Sequence, residues 1–271
     1  MRLVSIHTYP VKGARDVARD RAEVRPWGLA GDRRWMLIDG DGVGLTQREL
    51  PVLATLEATA SPGRLTLRSA DGDGPALAEP ADVTPIPVRV FRNRLPVPAL
   101  PVTAEADNWL TALLGRPVRL VWLGQPARHL APGDRPYDTG DQVSFADEYP
   151  LLLANQASLD ALNGWLAQEQ AAAVPMTRFR PNLVADTDRP WVEEEWAGRR
   201  LRIGQVRFRA AGSCGRCVVT TVDQASGVRG REPLRTLAQR HTVDGKARFG
   251  LHLVPLGPGT LAVGDPLEAP D

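Results

Sequence analysis

Glycine and proline interrupt this chain so often that long regular elements have little room to form. There are 25 Gly and 24 Pro in 271 residues, and Pro both fixes φ and lacks the N–H that a helix interior or central strand needs. Such punctuation favours short strands joined by tight turns, with helices confined to the gaps. Leu3 to Tyr9 mixes apolar and polar positions and stops at Pro10, while Arg34 to Ile38 reads as a buried strand. Asp39-Gly40-Asp41-Gly42, leading to Gly44–Gln47, carries hairpin-turn chemistry, as does Asp71-Gly72-Asp73-Gly74 after the alternating run Arg64–Arg68. Asp-Gly tolerates the positive φ that two-residue turns demand. Further strands are expected at Asn182–Ala185, Leu201–Phe208, Val218–Val222 and Phe249–Val254.

Three helices fit between the breaks. Ala106, Trp109, Leu110, Leu113 and Leu114 recur at helical spacing, with Thr103 as N-cap and Gly115 and Pro117 as the stop. Leu159, Leu162 and Leu166 share a face behind Ser158, the expected cap of a second helix, with Pro175 marking an end beyond it. A third starts at Pro233 and carries Leu234 and Leu237. Gly124 to Gly140 holds three prolines and no periodicity, the pattern of a long loop. The expected fold class is therefore mainly β with a few helices (α+β), divided near residue 118 into residues 1–118 and 119–271.

Scarcity of certain residues limits the chemistry. Lys plus Arg total 33 against 32 Asp plus Glu, which argues against nucleic acid as a general partner. No stretch reaches the roughly 18–20 apolar residues of a membrane span, and Ser5 interrupts any secretory apolar region near Met1. No membrane partner is expected, and the expected location is cytoplasmic. The only cysteines are Cys214 and Cys217, which excludes a disulfide scaffold and a four-thiolate iron–sulfur cluster. Four histidines (His7, His129, His241, His252) leave little for a zinc cage; His7, His129 and His241 read as surface or packing residues. The only lysines are Lys12 and Lys246.

The segment Gly212-Ser213-Cys214-Gly215-Arg216-Cys217 precedes a β-branched run, Val218-Val219-Thr220-Thr221-Val222. A dithiol redox pair wants a helix after its first cysteine, and the β-branched run favours strand instead. Zinc would need two further ligands, and neither a second C-x-x-C nor an H-x-x-x-H exists. Two readings stay open. One cysteine is the single protein thiolate on a soft or high-valent metal held mainly by something else, with Arg216 stabilising it; or both are buried free cysteines filling space.

Motifs elsewhere add a resemblance. Arg216–Asp223, R-C-V-V-T-T-V-D, resembles the signature of MOSC (molybdenum cofactor sulfurase C-terminal) domains, Gly259–Pro266 their closing pattern, and Arg178–Val184 their R-F-R-P-N motif. Tyr9-Pro10-Val11-Lys12, Gly31–Trp35 and Thr46–Glu49 resemble landmarks of the companion MOSC N-terminal β-barrel domain, in the usual order. The whole is similar to the amidoxime-reducing MOSC proteins and their bacterial relatives. That resemblance implies two β-barrel-like domains holding a molybdenum cofactor (a molybdopterin, nucleotide form open) between them, with Cys217 as the metal ligand and catalytic thiolate. It implies cofactor contacts at Lys12, Gly13, Arg33, Tyr149, Arg180, Asn182, Gly215, Arg216 and His252. Arg and Lys suit the cofactor's phosphate, and Asn can read a pterin edge.

Three positions depart from the family pattern. Gly13 stands where a serine is common, Glu148 adds a negative charge beside Tyr149, and His252 replaces a tyrosine. Asp223 is expected to fix a turn. The resemblance implies an oxidoreductase reducing N-hydroxylated or N-oxide-type small molecules by two-electron oxygen-atom transfer. With too few cysteines for a cluster, it implies a separate electron-donor protein, flavin or iron–sulfur. The alternative is a non-catalytic carrier of the molybdenum cofactor, or of persulfide sulfur on Cys217.

Overall fold

The structure, a computed structural model, describes residues 1–124, 126, 128–129 and 140–270. The expected loop from Gly124 to Gly140 lies largely outside the described residues, as does the His129 side chain. The chain is mainly β with three α-helices among the described residues, as its punctuation requires.

A nine-stranded sheet forms the larger part. Its strands run Val17–Arg19, Arg2–Thr8, Leu183–Asp186, Leu151–Asn155, Lys246–Pro255, Val206–Gly215, Arg200–Ile203 and Leu267–Glu268, with Thr242–Val243 paired to the side. All pairs are antiparallel except Leu151–Asn155 with Leu183–Asp186. A parallel pair needs a crossover, here the helix Gln156–Gln168. Sheet membership does not follow chain order. Strand Arg2–Thr8 pairs with Leu183–Asp186, and Arg21–Arg25 pairs with Gly259–Ala262. Leu3, Ile6, Leu153, Phe208, Leu251 and Leu253, all fully buried, form the core of this part.

The rest of the N-terminal portion builds a four-stranded sheet (Trp35–Ile38, Arg119–Trp122, Val97–Pro101, Ile86–Val88) and a meander of Glu57–Ser61, Arg64–Ser69 and Gly72–Ala78. The hairpin expected at Asp71–Gly74 is present, and Asp39–Gly42 turns the chain so that Ile38 bridges Gly44. Helix Ala104–Leu114 is capped by Thr103, which accepts from the Ala106 N–H, and ends at Gly115 in the left-handed conformation. It buries Ala106 and Leu110 against Trp35, Leu65 and Leu120, and a fully buried Leu is worth roughly 2–3 kcal/mol.

Three local expectations are corrected. The second helix is capped by Asn155, not Ser158: Asn155 accepts from the Ala157 N–H while donating to Thr187 and Glu193. Ser158 lies inside the first turn, its buried hydroxyl bonded to Glu193 at 2.9 Å and accepting from the Trp191 N–H at 2.8 Å. Leu201–Phe208 is a hairpin, broken at Gly204 (φ +55°), rather than one strand. Val218–Val222 is not a strand; Val218–Thr221 is a 3₁₀ turn. Its threonine hydroxyls bond back to the Cys217 and Val218 carbonyls at 3.0 and 2.8 Å, and this local satisfaction outweighs β-propensity. The third helix, Leu234–Arg240, begins after Pro233 as expected. No helix among the described residues is long and apolar enough to cross a membrane.

Candidate functional site

A cavity of about 330 Å³ opens where the N-terminal segments meet the nine-stranded sheet. All ten residues singled out from the sequence line it: Lys12, Gly13, Arg33, Tyr149, Arg180, Asn182, Gly215, Arg216, Cys217 and His252. They come from segments up to 240 residues apart in sequence, so the fold alone assembles them.

Strand Val206–Gly215 brings the cysteines in. It is bulged against Lys246–Pro255 between Ala210 and Gly212 and again between Ser213 and Gly215, and bulges re-aim the side chains that follow them. Cys214 ends up buried on the cavity wall, and Cys217, partly exposed, starts the 3₁₀ turn. Arg216 stands beside Cys214 rather than Cys217. Its Nη1 donates to Cys214 Sγ at 2.9 Å and its Nη2 to the Phe179 carbonyl at 2.7 Å. The cation at Cys217 is Arg48, whose Nη2 lies 3.4 Å from Sγ and 3.3 Å from Asp147.

Lys12 is 3% exposed, yet charged groups surround it. Its ammonium donates to the Phe145 carbonyl at 2.9 Å, pairs with Asp147, and sits 5.0 Å from the Phe91 ring centre. Burial lowers its pKa from 10.5 to about 8, although Asp147 opposes that change. Burial pushes Asp147 up, but Lys12 and Arg48 outweigh it and hold the carboxyl well below its usual range. Next to Lys12, Gly13 takes φ +85°, a conformation that disfavours the serine common in the family, and its carbonyl accepts from Gln47 at 2.6 Å.

Arg33 and Arg180 grip the Tyr9 ring, their guanidinium carbons 4.5 and 4.2 Å from its centre. Both have positive φ, +48° and +55°, a strained setting for non-glycine residues that concentrates at functional sites. Arg33 is fixed by Asp32 and by Asn182 Oδ1 at 3.1 Å, and Arg180 donates to the Ala14 carbonyl at 2.8 Å. Burial lowers the Arg180 pKa to about 10, still charged at neutral pH. Asn182 also accepts from the Leu152 N–H and donates to the His7 carbonyl, so much of its amide capacity ties the strands together. Arg34 instead bonds the Leu123 and Gly124 carbonyls away from the cavity.

Elsewhere on the wall His252 packs at a 34° tilt against Tyr149 with centres 4.8 Å apart, its Nε2 3.4 Å from Glu148. Glu148, the extra negative charge, thus faces a histidine. Asp223 fixes a turn as expected, accepting from the Ala225 and Ser226 N–H groups, and also pairs with Arg178 at 2.9 Å. His7 pairs with Asp16, and His241 stacks on Trp191, both outside the cavity lining.

Sequence reasoning missed Arg48, Gln47, Asp147 and Phe91 as wall residues. The signal for Arg48 lay in Thr46-Gln47-Arg48-Glu49. There the Thr46 N–H and hydroxyl both bond Glu49, at 3.0 and 2.8 Å, which fixes the turn presenting Arg48. Six cationic side chains (Lys12, Arg33, Arg48, Arg94, Arg180, Arg216) face two carboxylates across the cavity. A concave site with that excess concentrates anions. Two guanidinium nitrogens in it, Arg48 Nη1 and Arg216 Nε, are buried with no hydrogen-bond partner among the described residues, and buried polar atoms are rarely left so unless something else completes them.

The fold and this site define the class. Residues 1–117 match the MOSC N-terminal beta barrel domain and residues 140–268 the MOSC domain, and the chain belongs to the MOSC-domain family. Among named proteins it is 31% identical over 282 residues to the human mitochondrial amidoxime-reducing component 1, covering 96% of this chain and 80% of that one. The mouse protein of the same name is 30% identical, over 96% of this chain and 79% of its own. Molybdenum cofactor sulfurase of Drosophila grimshawi is 32% identical over 98% of this chain, which spans only 34% of that relative.

Proposed function

We propose that this chain is a molybdenum-cofactor-dependent reductase of N-hydroxylated or N-oxide-type small molecules, with Cys217 as the metal-ligating thiolate. The reading rests on one observation above the others. Cys217 is a partly exposed free thiol with a guanidinium 3.4 Å from its sulfur, in a cavity whose charge excess is positive. Soft thiolate suits a molybdenum centre that brings further sulfur ligands of its own.

The wall fits such a group. The buried, unpartnered Arg48 Nη1 and Arg216 Nε are donors in want of an acceptor, which a phosphate-bearing anion provides. Lys12, Arg33, Arg180 and Arg216 would hold the anionic part, the Gly13 and Gly215 backbone would permit close approach, and Tyr149 and His252 would form the opposite face. Residues 1–118 and 119–271, taken as the two domains, each contribute to this wall. When bound, the molybdenum cofactor supplies two-electron oxygen-atom transfer chemistry. Arg48 sets a positive charge 3.4 Å from the Cys217 sulfur, and Asp147 holds Arg48 and Lys12 in place. The imidazole of His252, charged at neutral pH because Cys214 and Glu148 outweigh its burial, is a proton-bearing group on the cavity wall. Electrons come from a separate flavin or iron–sulfur protein.

The names of the amidoxime-reducing relatives support the substrate class, and those of the sulfurases support the cofactor. The test is molybdenum and pterin content of protein made in a cofactor-competent host, followed by turnover of benzamidoxime with an artificial electron donor. One molybdenum per chain, retained in Cys214→Ser and lost in Cys217→Ser, is expected together with turnover. Metal binding unchanged in Cys217→Ser refutes the assignment, and full occupancy without turnover of any N-hydroxylated compound favours the carrier.

A further inference from the structure

Cys217 accounts for one cysteine of the cavity, and the other stands in a setting that packing does not explain. A cysteine buried for its volume is neutral and needs no counter-charge. Cys214 has two. Arg216 Nη1 donates to its sulfur at 2.9 Å, and His252, on the neighbouring strand Lys246–Pro255 opposite Gly212, adds a positive charge. Behind His252, Glu148 Oε2 lies 3.4 Å from Nε2. Thiol, imidazole and carboxylate line one cavity, and the guanidinium on the sulfur makes the electropositive setting that activates a thiol.

The charges agree with the geometry. Burial pushes the Cys214 thiol up, but Arg216 and His252 outweigh it and bring its pKa from 9.0 down to about 7, with Glu148 opposing. Cys214 and Glu148 in turn raise His252 from 6.5 to about 9 against its own burial. Cys214 is 8% exposed and lines the cavity, which gives small solutes a route to it.

We propose that Cys214 is a second reactive thiolate of this cavity, a modification site for small oxidising electrophiles such as hydroperoxides. The site goes beyond the reductase reading and does not depend on it. With hydrogen peroxide, the Cys214 sulfur attacks one peroxide oxygen, an S–O bond forms and the O–O bond breaks. Sulfur gives up two electrons, and the departing hydroxide takes the His252 proton and leaves as water. The product is a sulfenic acid on Cys214.

The test uses the full chain and hydrogen peroxide, with dimedone trapping the sulfenic acid. Trypsin cuts after Arg216 and places the two cysteines on separate peptides. The adduct is expected on the peptide ending at Arg216, and Cys217→Ser leaves its rate within about twofold. Iodoacetamide alkylation of Cys214 should titrate with a midpoint near pH 7. In His252→Gln the midpoint moves up, and a one-unit rise lowers the pH 7 rate about fivefold through the lost thiolate fraction. If that variant does not fold, Arg216→Gln combined with Cys217→Ser, which leaves Cys214 as the one thiol of the chain, must move the midpoint the same way. The proposal is overturned if native Cys214 reacts only in urea. A midpoint at the ordinary thiol value of about 8.5, or loss of the Cys214 adduct in Cys217→Ser, overturns it equally.

Discussion

Replacing Lys12 with methionine tests whether the cavity is held together at a cost. Lys12 is charged, buried and depressed in pKa from 10.5 to about 8. One unit is about 1.4 kcal/mol, so a shift of two to three units places roughly 3 kcal/mol against the charged form in the folded chain. The sign follows from proton binding. Between pH 8 and 10.5 the unfolded lysine keeps its proton while the folded one loses it, so stability rises with pH across that window. Below pH 8 the full cost is present. Methionine removes it, giving up the bond to the Phe145 carbonyl, worth about 1 kcal/mol. Urea unfolding of both proteins at pH 7 should therefore find Lys12→Met more stable by about 1–2 kcal/mol. That advantage should shrink, or reverse, by pH 10.5. Only the difference between the two proteins is read, so other titrating groups cancel. A flat difference from pH 7 to 10.5, or a wild type that loses ground as pH rises, refutes the reasoning; Lys12 and Asp147 would then be a stabilising ion pair.

Other perturbations address the frame and the site. Asn155→Ala removes a helix cap and two donors to buried Thr187 and Glu193, and should cost about 2–4 kcal/mol in urea unfolding. Gly250 sits at φ +81°, and an added Cβ would lie 2.7 Å from the Leu153 carbonyl oxygen; Gly250→Ala should cost about 2 kcal/mol or more, read as a lowered Tm. Arg48→Ala should leave unfolding within about 1 kcal/mol while lowering molybdenum retention about tenfold, the worth of one charge-assisted hydrogen bond. Unchanged retention would remove Arg48 from the site.

The sequence disclosed the β class, the helices and ten wall residues because each rests on local pattern or on a motif. Thr103 and Gly115 bound their helix through contacts a few residues away. Ser158 failed as a cap because a buried glutamate 35 residues later claims its hydroxyl, something no local pattern records. The 3₁₀ turn after Cys217 was hidden for the opposite reason, since valine and threonine report strand propensity while the threonine hydroxyls close a turn. Arg48 and Asp147 escaped notice because their meaning is relational. They lie 99 residues apart, and neither is informative until the fold sets both beside Cys217 and Lys12.

The strand order carries a consequence for synthesis. The first strand bonds to residues 183–186 and 264–265, and the Met1 carbonyl accepts from the Leu267 N–H at 3.0 Å. A ribosome emits Val17–Arg19 soon after the first strand, and they pair one edge of it, but the other edge waits, with unmet N–H and C=O groups, for residues 183–186. At 5–20 residues per second, that wait lasts on the order of tens of seconds. A nascent edge of this kind is a docking point for chaperones and a hazard for aggregation. Residues 2–8 are thus a stretch that needs shielding during synthesis until residues 183–186 close the open edge.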